Sequence, residues 1–263
     1  MEVGVLRIVS LLENTAARAD VLAEHGLSLY IEACGKRILF DMGQSDLFAR
    51  NAEVLGVDLS GVDIAILSHG HYDHGGGLVR FLELNKRAPV YLSEHAFGDY
   101  YNGTKKYIGL DKRLQGDPRL HPVADTLEIA KGLTLFSCNA CPRPHGTDSG
   151  GLTKRVGDAF FADDFLHEQY LLVEQGNKRV LISGCSHKGI LNIAEWFAPD
   201  VLIGGFHFSK MPLDGAFAEK AQLLAAKPTQ YFTCHCTGVP QFEFMRQSMP
   251  HLAYLACGEE IGI

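Results

Sequence analysis

The sequence predicts an α/β protein in which helices cover mixed β-sheets. Short apolar runs of strand length alternate along the chain with segments of helical periodicity, which is the pattern of βαβ units. Two pairs of apolar runs lie on either side of a tight turn and predict hairpins. The chain has 263 residues, 46% of them hydrophobic and 21% charged, so it is long and apolar enough for a substantial core.

Apolar periodicity and turn residues define the elements of the N-terminal part. The segment 45–55, for example, places Leu47, Phe48 and Leu55 on one face of a helix. In order, we predict a strand at 3–12, a loop or short helix at 14–23, a hairpin of strands 27–32 and 37–40, a helix at 45–55, a strand at 64–67, a helix at 78–85 and a strand at 89–92.

The remaining chain divides into a variable middle and a second regular part. We interpret 93–164 as an insertion that shapes a substrate pocket, with strand-like pieces at 127–129 and 133–137, inside a single domain over 1–263. The second regular part resembles the first and suggests two similar halves. Its predicted elements are a hairpin of strands 170–173 and 179–182, a helix at 190–197, a strand at 201–203, a helix at 216–226 and a strand at 231–233.

Composition narrows the classes of partner. The formal net charge is −7, which argues against a nucleic-acid surface because such surfaces are basic. No apolar run approaches the roughly 20 residues that span a bilayer, and the N-terminus has no signal-peptide pattern. The seven scattered cysteines do not suggest a disulfide framework. We therefore expect a cytoplasmic protein that acts on a small molecule, without nucleic-acid or membrane partners, and leave its oligomeric state open.

The strongest local signal lies at the end of the predicted strand 64–67. Within six residues the chain places His69, His71, Asp73 and His74, with glycines at 70 and 75–77. Side chains two apart in an extended segment point the same way, so the first two histidines can bind one metal ion. After a turn, the aspartate and the last histidine can reach a second position. Imidazole and carboxylate suit zinc, and also manganese or iron.

Three other predicted strands also end in histidine near glycine. His187 follows the second hairpin, His207 follows strand 201–203, and His235 follows strand 231–233. Ligand and catalytic side chains commonly come from such strand ends in layered α/β folds. Together with the cluster at 69–74, these histidines complete a plausible set for two divalent metal ions.

The motif His69-Gly70-His71-Tyr72-Asp73-His74 resembles the signature of the metallo-β-lactamase superfamily. The resemblance implies a four-layer αβ/βα sandwich, with one metal on the first two histidines plus a third, and a second metal on Asp73, His74 and a C-terminal histidine, here His235. It implies that Asp41 orients a ligand histidine, although a turn aspartate is an equal alternative.

The sequence departs from that family pattern after the second hairpin. Cys185 stands where the family has a bridging aspartate, and a thiolate can replace it as a zinc ligand. The third histidine of the first metal is then His187, or else Asp164 or His167 supplies the ligand. Asp73 is the expected catalytic residue beside the metals, and His207 is either a ligand or an acid that faces the substrate.

Further motifs resemble one subgroup of the superfamily, named for 7,8-dihydropterin-6-methyl-4-(β-D-ribofuranosyl)aminobenzene-5'-phosphate synthase. They include Gly-Cys-Ser-His-Lys-Gly-Ile at 184–190, Gly-Gly-Phe-His at 204–207 and His-Cys-Thr-Gly at 235–238. The resemblance implies a phosphorylated or otherwise anionic substrate. Candidate substrate-binding residues are His25, Tyr100, Lys105, Lys106, Arg113 and Arg143.

Two other functions remain open at this level. One is hydrolysis of a lactone, thioester or phosphodiester, because a fold alone does not define the reaction. The other is a catalytically silent metal-binding protein, which is consistent with a cysteine at 185 in place of the family's bridging aspartate. An oxygen-reducing di-iron role is disfavoured, because the relatives with that role carry glutamate where this chain has His71.

Overall fold

A computed structural model describes residues 5–263 of the chain. The first two residues of the strand predicted at 3–12, Val3 and Gly4, lie outside the described residues. Within them the N-terminal part follows the predicted order with boundaries shifted by one or two residues. Its elements are β1 (Arg7–Leu12), β2 (Ser28–Ala33), β3 (Lys36–Phe40), α1 (Leu47–Val54), β4 (Ile64–Ile66), α2 (Tyr72–Gly75), α3 (Leu78–Leu84) and β5 (Val90–Ser93).

The middle of the chain is more regular than the insertion that we predicted. It contains β6 (Asp99–Asn102), β7 (Lys106–Tyr107), β8 (Leu120–Val123), β9 (Thr126–Ala130), β10 (Leu133–Phe136), β11 (Leu152–Val156) and β12 (Ala159–Ala162). Strands β6, β7, β11 and β12 form a small separate sheet. The other three strands extend the two large sheets, so the segment 93–164 contributes to the main body as well as to an added layer.

The last part supplies β13 (Tyr170–Gln175), β14 (Lys178–Ile182), α4 (Ile190–Phe197), β15 (Val201–Gly204), α5 (Gly215–Ala225), β16 (Gln230–Thr233), α6 (Val239–Met245), β17 (Leu252–Tyr254) and β18 (Glu260–Gly262). Short 3-10 turns lie at Leu59–Gly61, Lys112–Leu114 and His235–Thr237. The predicted helix at 190–197 coincides with α4. Among residues 5–263 no helix is long and apolar enough to cross a membrane.

Two seven-stranded sheets form the centre of the molecule. The first has the order β18-β1-β2-β3-β4-β5-β8 and the second the order β17-β16-β15-β14-β13-β10-β9. Each contains an antiparallel hairpin, β2-β3 or β13-β14, followed by parallel strands. The hairpin turn between β2 and β3 uses Cys34 and Gly35, both with positive φ (53° and 71°), which suits the twist of a two-residue turn.

Side chains on opposite faces of each strand pack into different layers. Leu29 and Ile31 of β2 face the core between the two sheets, whereas Tyr30 packs with the residues under α1 and α3. On the second sheet, Val180 faces the same central core and Leu181 packs under α4 and α5. Side chains of a strand alternate between its faces, so each sheet is apolar on both. The predicted four-layer αβ/βα sandwich is confirmed.

Candidate metal centre

The loop after β4 carries four of the predicted ligands and is held by close backbone contacts. Backbone φ and ψ of His71 are extended, and helix α2 starts immediately afterwards, which turns Asp73 and His74 back toward the strand end. A Cβ on Gly70 would lie 2.2 Å from the carbonyl oxygen of Ala96, so only glycine fits between the first two histidines. Gly70 is therefore required by the close approach of the Ala96 backbone.

Asp41 organises the ring orientations in this loop. It follows β3, which is parallel to β4, and is fully buried. Its Oδ1 accepts the backbone N–H of Ser68 (2.7 Å), and its Oδ2 accepts the Ser68 hydroxyl (2.7 Å) and Nδ1 of His74 (2.6 Å). Since the Ser68 proton goes to Asp41, the hydroxyl oxygen accepts from Nδ1 of His69 (2.8 Å). Both histidines, when neutral, then carry their proton on Nδ1 and present an unprotonated Nε2.

His235 is oriented in the same way from the second half of the chain. Its Nδ1 lies 2.8 Å from Oδ1 of Asn14, an oxygen that also accepts the backbone N–H of Gly26 (3.3 Å). Nδ1 is therefore the protonated nitrogen, and Nε2 faces inward. Nε2 of His235 lies 3.2 Å from Nε2 of His74. Two ring nitrogens at this distance are stabilised by a positive charge shared between them, either a proton or a metal ion.

Two buried glutamates hold the histidine loops by their backbone. Oε1 of Glu13 accepts the N–H of His235 (2.6 Å), and Oε1 of Glu168 accepts the N–H of His187 (2.6 Å). Each glutamate also accepts a tyrosine hydroxyl at 2.6 Å, from Tyr254 or Tyr170 respectively. Glu13 and Glu168 were not predicted as site residues, since nothing in their local sequence indicates which distant N–H they accept.

The predicted ligands converge. Their donor atoms form overlapping groups of three within 4.8 Å of one another, namely His69, His71 and His187; His69, His74 and Cys185; Cys185, His235 and Cys236; and His25, Asp73 and His235. Nε2 of His187 lies 3.3 Å from Nε2 of His69, and Sγ of Cys185 lies 3.1 Å from Nε2 of His74. All seven cysteines are free thiols, Cys185 included.

The state of the donor atoms suits metal binding. Nε2 of His71, which is buried, has no hydrogen-bond partner within the described part of the chain. Burial lowers the pKa of His69, His187 and His235, which favours the neutral imidazole that binds metals. An unpaired buried nitrogen is costly in an apolar setting, so these rings are suited to hold a cation.

Asp73 and His74 are predicted ligands of the second metal ion, and their neighbours shift the pKa of each. Burial alone would raise the pKa of Asp73, but its histidine neighbours, His74 first, hold it well below the usual value. Burial alone would lower the pKa of His74, yet the carboxylates of Asp41 and Asp73 outweigh this and raise it. The surroundings therefore favour a positive charge at the inward nitrogen of His74, whether a proton or a metal ion supplies it.

The structure also separates the alternatives for the third ligand of the first metal. His167 uses both nitrogens, since Nδ1 accepts the N–H of Gly70 (2.9 Å) and Nε2 lies 3.1 Å from Oδ2 of Asp163. Asp164 forms an ion pair with Lys154. The donor atom of His187 lies within 4.8 Å of those of His69 and His71, while His167 and Asp163 form a separate group with His71. Asp163, which we did not predict, lies 3.9 Å from Nε2 of His71.

His207 borders a cavity beside the candidate ligands. Its ring centroid is 4.3 Å from that of His187, and both line a cavity of about 370 Å³. His207 has a left-handed backbone (φ 56°), and burial lowers its pKa to about 4. Other lining residues come from 145–150, the start of α4 and 206–212.

The tentative substrate residues lie elsewhere. None of them lines this cavity. Nε2 of His25 is 3.0 Å from Oδ2 of Asp73, at the outer edge of the ligand cluster. Tyr100 is buried and donates to the carbonyl of His95. Three of the basic side chains have protein partners: Lys106 donates to the Tyr72 hydroxyl, Arg113 pairs with Asp111, and Arg143 donates to the carbonyl of Asp164. Lys105 is exposed.

The fold and the convergent histidine, aspartate and cysteine side chains define a class of metal-dependent proteins. The chain belongs to the metallo-beta-lactamase superfamily, whose family model matches residues 22–235. The predicted family is therefore confirmed. Proteins of this superfamily typically bind metal ions.

Two curated relatives from Methanocaldococcus jannaschii are similar over most of their length. One is an uncharacterized protein, 29% identical over 96% of this chain and 98% of its own. The other is 7,8-dihydropterin-6-methyl-4-(beta-D-ribofuranosyl)-aminobenzene-5'-phosphate synthase, 26% identical over 89% of this chain and 88% of its own.

Solved structures agree on the fold. Tm1679, described as a metal-dependent hydrolase of the beta-lactamase superfamily, has a TM-score of 0.84 and 29% identity, with 98% of this chain and 99% of that chain covered. Zn²⁺-bound PqqB from Methylobacterium extorquens shares the fold, with a TM-score of 0.57, 14% identity, and 98% and 100% of the chains covered.

Proposed function

We propose that this chain is an enzyme that uses two divalent metal ions to transform an anionic small molecule. The observation that carries the proposal is that Nε2 of His74 and Nε2 of His235 lie 3.2 Å apart inside a buried cluster of further candidate ligands. Zinc is the first candidate because the donor set combines imidazole, carboxylate and thiol. Manganese and iron are the alternatives.

The residues divide into two positions. His69, His71 and His187 would hold one metal ion, and Asp73, His74 and His235 the other. Cys185 belongs to one group with His69 and His74 and to another with His235, so its thiolate would serve both positions. Metal ions bound there would activate water at neutral pH and polarise the substrate.

Side chains of the protein would then position the substrate and exchange protons with it. Asp73 is held as a carboxylate by its histidine neighbours, which leaves it available to bind metal and to orient an attacking group. The ring of His207 lies at the cavity wall beside His187, where a neutral imidazole can exchange a proton with bound substrate. Asp41, with Ser68, holds the Nδ1 side of the His74 ring so that Nε2 faces inward, and acts only through the ligands.

Two reactions fit such a site. The likeness to the dihydropterin-ribofuranosyl-aminobenzene-phosphate synthase supports a synthase-type reaction on a phosphorylated substrate. The likeness to Tm1679 supports hydrolysis, with a lactone, thioester or phosphodiester as substrate. We rank the synthase-type reaction on an anionic small molecule first, because the motifs at 184–190, 204–207 and 235–238 also resemble that subgroup.

Metal content tests the centre. We expect about two metal ions per wild-type chain by plasma mass spectrometry, and about one after His187→Ala or Cys185→Ala. His251→Ala, an exposed histidine outside the ligand groups, is the matched control and should keep two. One metal ion or fewer in the wild type, with no change in the variants, would refute the dinuclear centre.

Turnover tests the reaction. The purified protein is assayed with a lactone, a thioester, a phosphodiester and the pterin substrate of the synthase, beside Asp73→Ala. Activity on one substrate that Asp73→Ala abolishes is the expected result. A wild type that binds two metal ions but matches Asp73→Ala on every substrate would be a catalytically silent metal-binding protein.

A further inference from the structure

The cavity beside His187 has a charge pattern that the metal ligands do not explain. We propose that Lys210 and Lys220 bind the anionic group of the substrate, while its flat apolar part packs against the apolar residues of the cavity wall. This assignment rests on the proposed function. It moves the anion site away from Lys105, Lys106 and Arg113, where the sequence placed it. A volume of about 370 Å³ suits a small molecule of this kind.

Both lysines line the cavity, and neither has a counter-ion in the described part of the chain. Within residues 5–263 neither Lys210 nor Lys220 forms an ion pair or a side-chain hydrogen bond. Lys220 lies on α5 and is half-buried, whereas Lys210 is exposed. The charge of Lys210 reaches the site, since it helps to lower the pKa of His207, for which burial is the main cause. An anion that enters the cavity would supply the missing partner for both.

Lys227 shows what a lysine of the same helix region does when a partner is present. It lies just beyond the end of α5 and pairs with Glu195 at 3.5 Å. The same glutamate pairs with His145, at the cavity edge, at 2.7 Å. Glu195 therefore gives both Lys227 and His145 a partner, whereas Lys210 and Lys220 have no such partner within the described residues.

One carboxylate also lines the cavity. Asp148 lies on an exposed loop, and its Oδ1 accepts the N–H of Gly150 (3.0 Å). With two unpaired lysines against one aspartate, the lining keeps a net positive charge before any metal ion is counted. Such a lining attracts an anion and disfavours a cationic substrate.

The lining also has an apolar part. Ile190 and Leu191 from the start of α4 and Phe206, Phe208 and Met211 from the segment after β15 form it. Phe206 and Phe208 are buried and pack edge-to-face, with ring centroids 6.1 Å apart. Aromatic walls bind rings and other flat apolar groups well. The substrate class is therefore an anion attached to a ring or similar apolar body, which reacts at the His187 end of the cavity.

Calorimetry with the metal-loaded full-length chain tests this without turnover. The probe is phenylphosphonate, whose carbon–phosphorus bond resists hydrolysis, with inorganic phosphate and benzyl alcohol as probes of the two parts. We expect Lys210→Met and Lys220→Met each to weaken phenylphosphonate binding about tenfold, which is the typical effect of one charge-assisted hydrogen bond. Benzyl alcohol should bind all proteins alike.

Matched variants define the specificity of the effect. Lys227→Met, a lysine with a glutamate partner, should bind phenylphosphonate as the wild type does. Asp148→Asn should bind it as well as or better than the wild type. Absence of binding to the wild type at millimolar probe, or affinities of both cavity variants within twofold of wild type, would overturn the proposal.

The same experiments distinguish failure of the proposed function from failure of the lysine assignment. Metal content of the same preparations and turnover on the substrate panel report the metal centre, whereas the ratio of affinities between wild type and Lys→Met variants reports the lysines. A chain with fewer than two metal ions but a lysine-dependent affinity would refute the first proposal and keep the second. Two metal ions with lysine-independent binding would do the reverse.

Discussion

Lys188, next to candidate ligand His187, is fully buried and provides a direct test of how the site loop is held. Its ammonium donates to the carbonyl of Ser137 (2.6 Å), Oδ1 of Asn139 (2.7 Å) and the carbonyl of Glu168 (2.8 Å). Burial lowers its pKa to about 8, so the charged form with three donors still dominates at neutral pH. Lys188→Met keeps much of the volume and removes every one of these bonds.

The expected loss follows from the groups left behind. Each buried carbonyl deprived of its partner costs roughly 1–3 kcal/mol, and the amide oxygen of Asn139 adds to this. Removal of a buried charge recovers part of that free energy, because the ammonium no longer has to be desolvated. We therefore expect Lys188→Met to lower the free energy of unfolding by about 3 kcal/mol.

Urea unfolding followed by circular dichroism measures the effect. With a slope of about 3 kcal/mol per M, the midpoint should fall by about 1 M. Lys178→Met, at the exposed start of β14, is the control and should change the free energy by less than about 0.5 kcal/mol. A midpoint for Lys188→Met that is indistinguishable from the control would refute the view that this lysine ties the His187 loop to the segments at 137–139 and 168.

Two further predictions concern the metal loop. Asp41→Asn places a donor opposite the Ser68 hydroxyl and Nδ1 of His74. Metal affinity measured by chelator competition should therefore fall about 10–100-fold. The control variant Asp158→Asn, on an exposed turn, should leave the metal affinity unchanged. Unchanged affinity in Asp41→Asn would show that the aspartate does not orient the ligands. In Gly70→Ala the added Cβ would lie 2.2 Å from the Ala96 carbonyl, so the free energy of unfolding measured in urea should fall by about 2–3 kcal/mol. Gly215→Ala, with no atom within 4 Å, should be neutral or slightly stabilising, and equal midpoints for the two would contradict the steric argument.

Much of the fold was accessible to sequence reasoning because its main sheets are apolar on both faces. Strands such as Ile64–Ile66 and Tyr170–Gln175 read as short apolar runs, and the helix Ile190–Phe197 has a clear apolar face. The small sheet of β6, β7, β11 and β12 was missed. Its strands carry exposed apolar side chains, such as Val156 and Phe161, and mixed polarity, so no alternation marks them.

The sequence by itself determined the ligand types and the first half of the site. His69, His71, Asp73 and His74 are neighbours in the chain, so their spacing alone brings their donor atoms together after a strand. It also indicated the later histidines, because each follows a predicted strand.

Only the tertiary structure decided which of those groups meet and in what state. The choice of His187 over His167 depends on the N–H of Gly70, which occupies His167 from 97 residues away. The tautomer of His235 depends on Asn14, 221 residues distant, and its backbone is held by Glu13. The anion-binding role that we assign to Lys210 and Lys220 depends on their shared cavity. Such contacts follow from how the two sheets pack, and no local pattern encodes which distant donor a buried oxygen accepts.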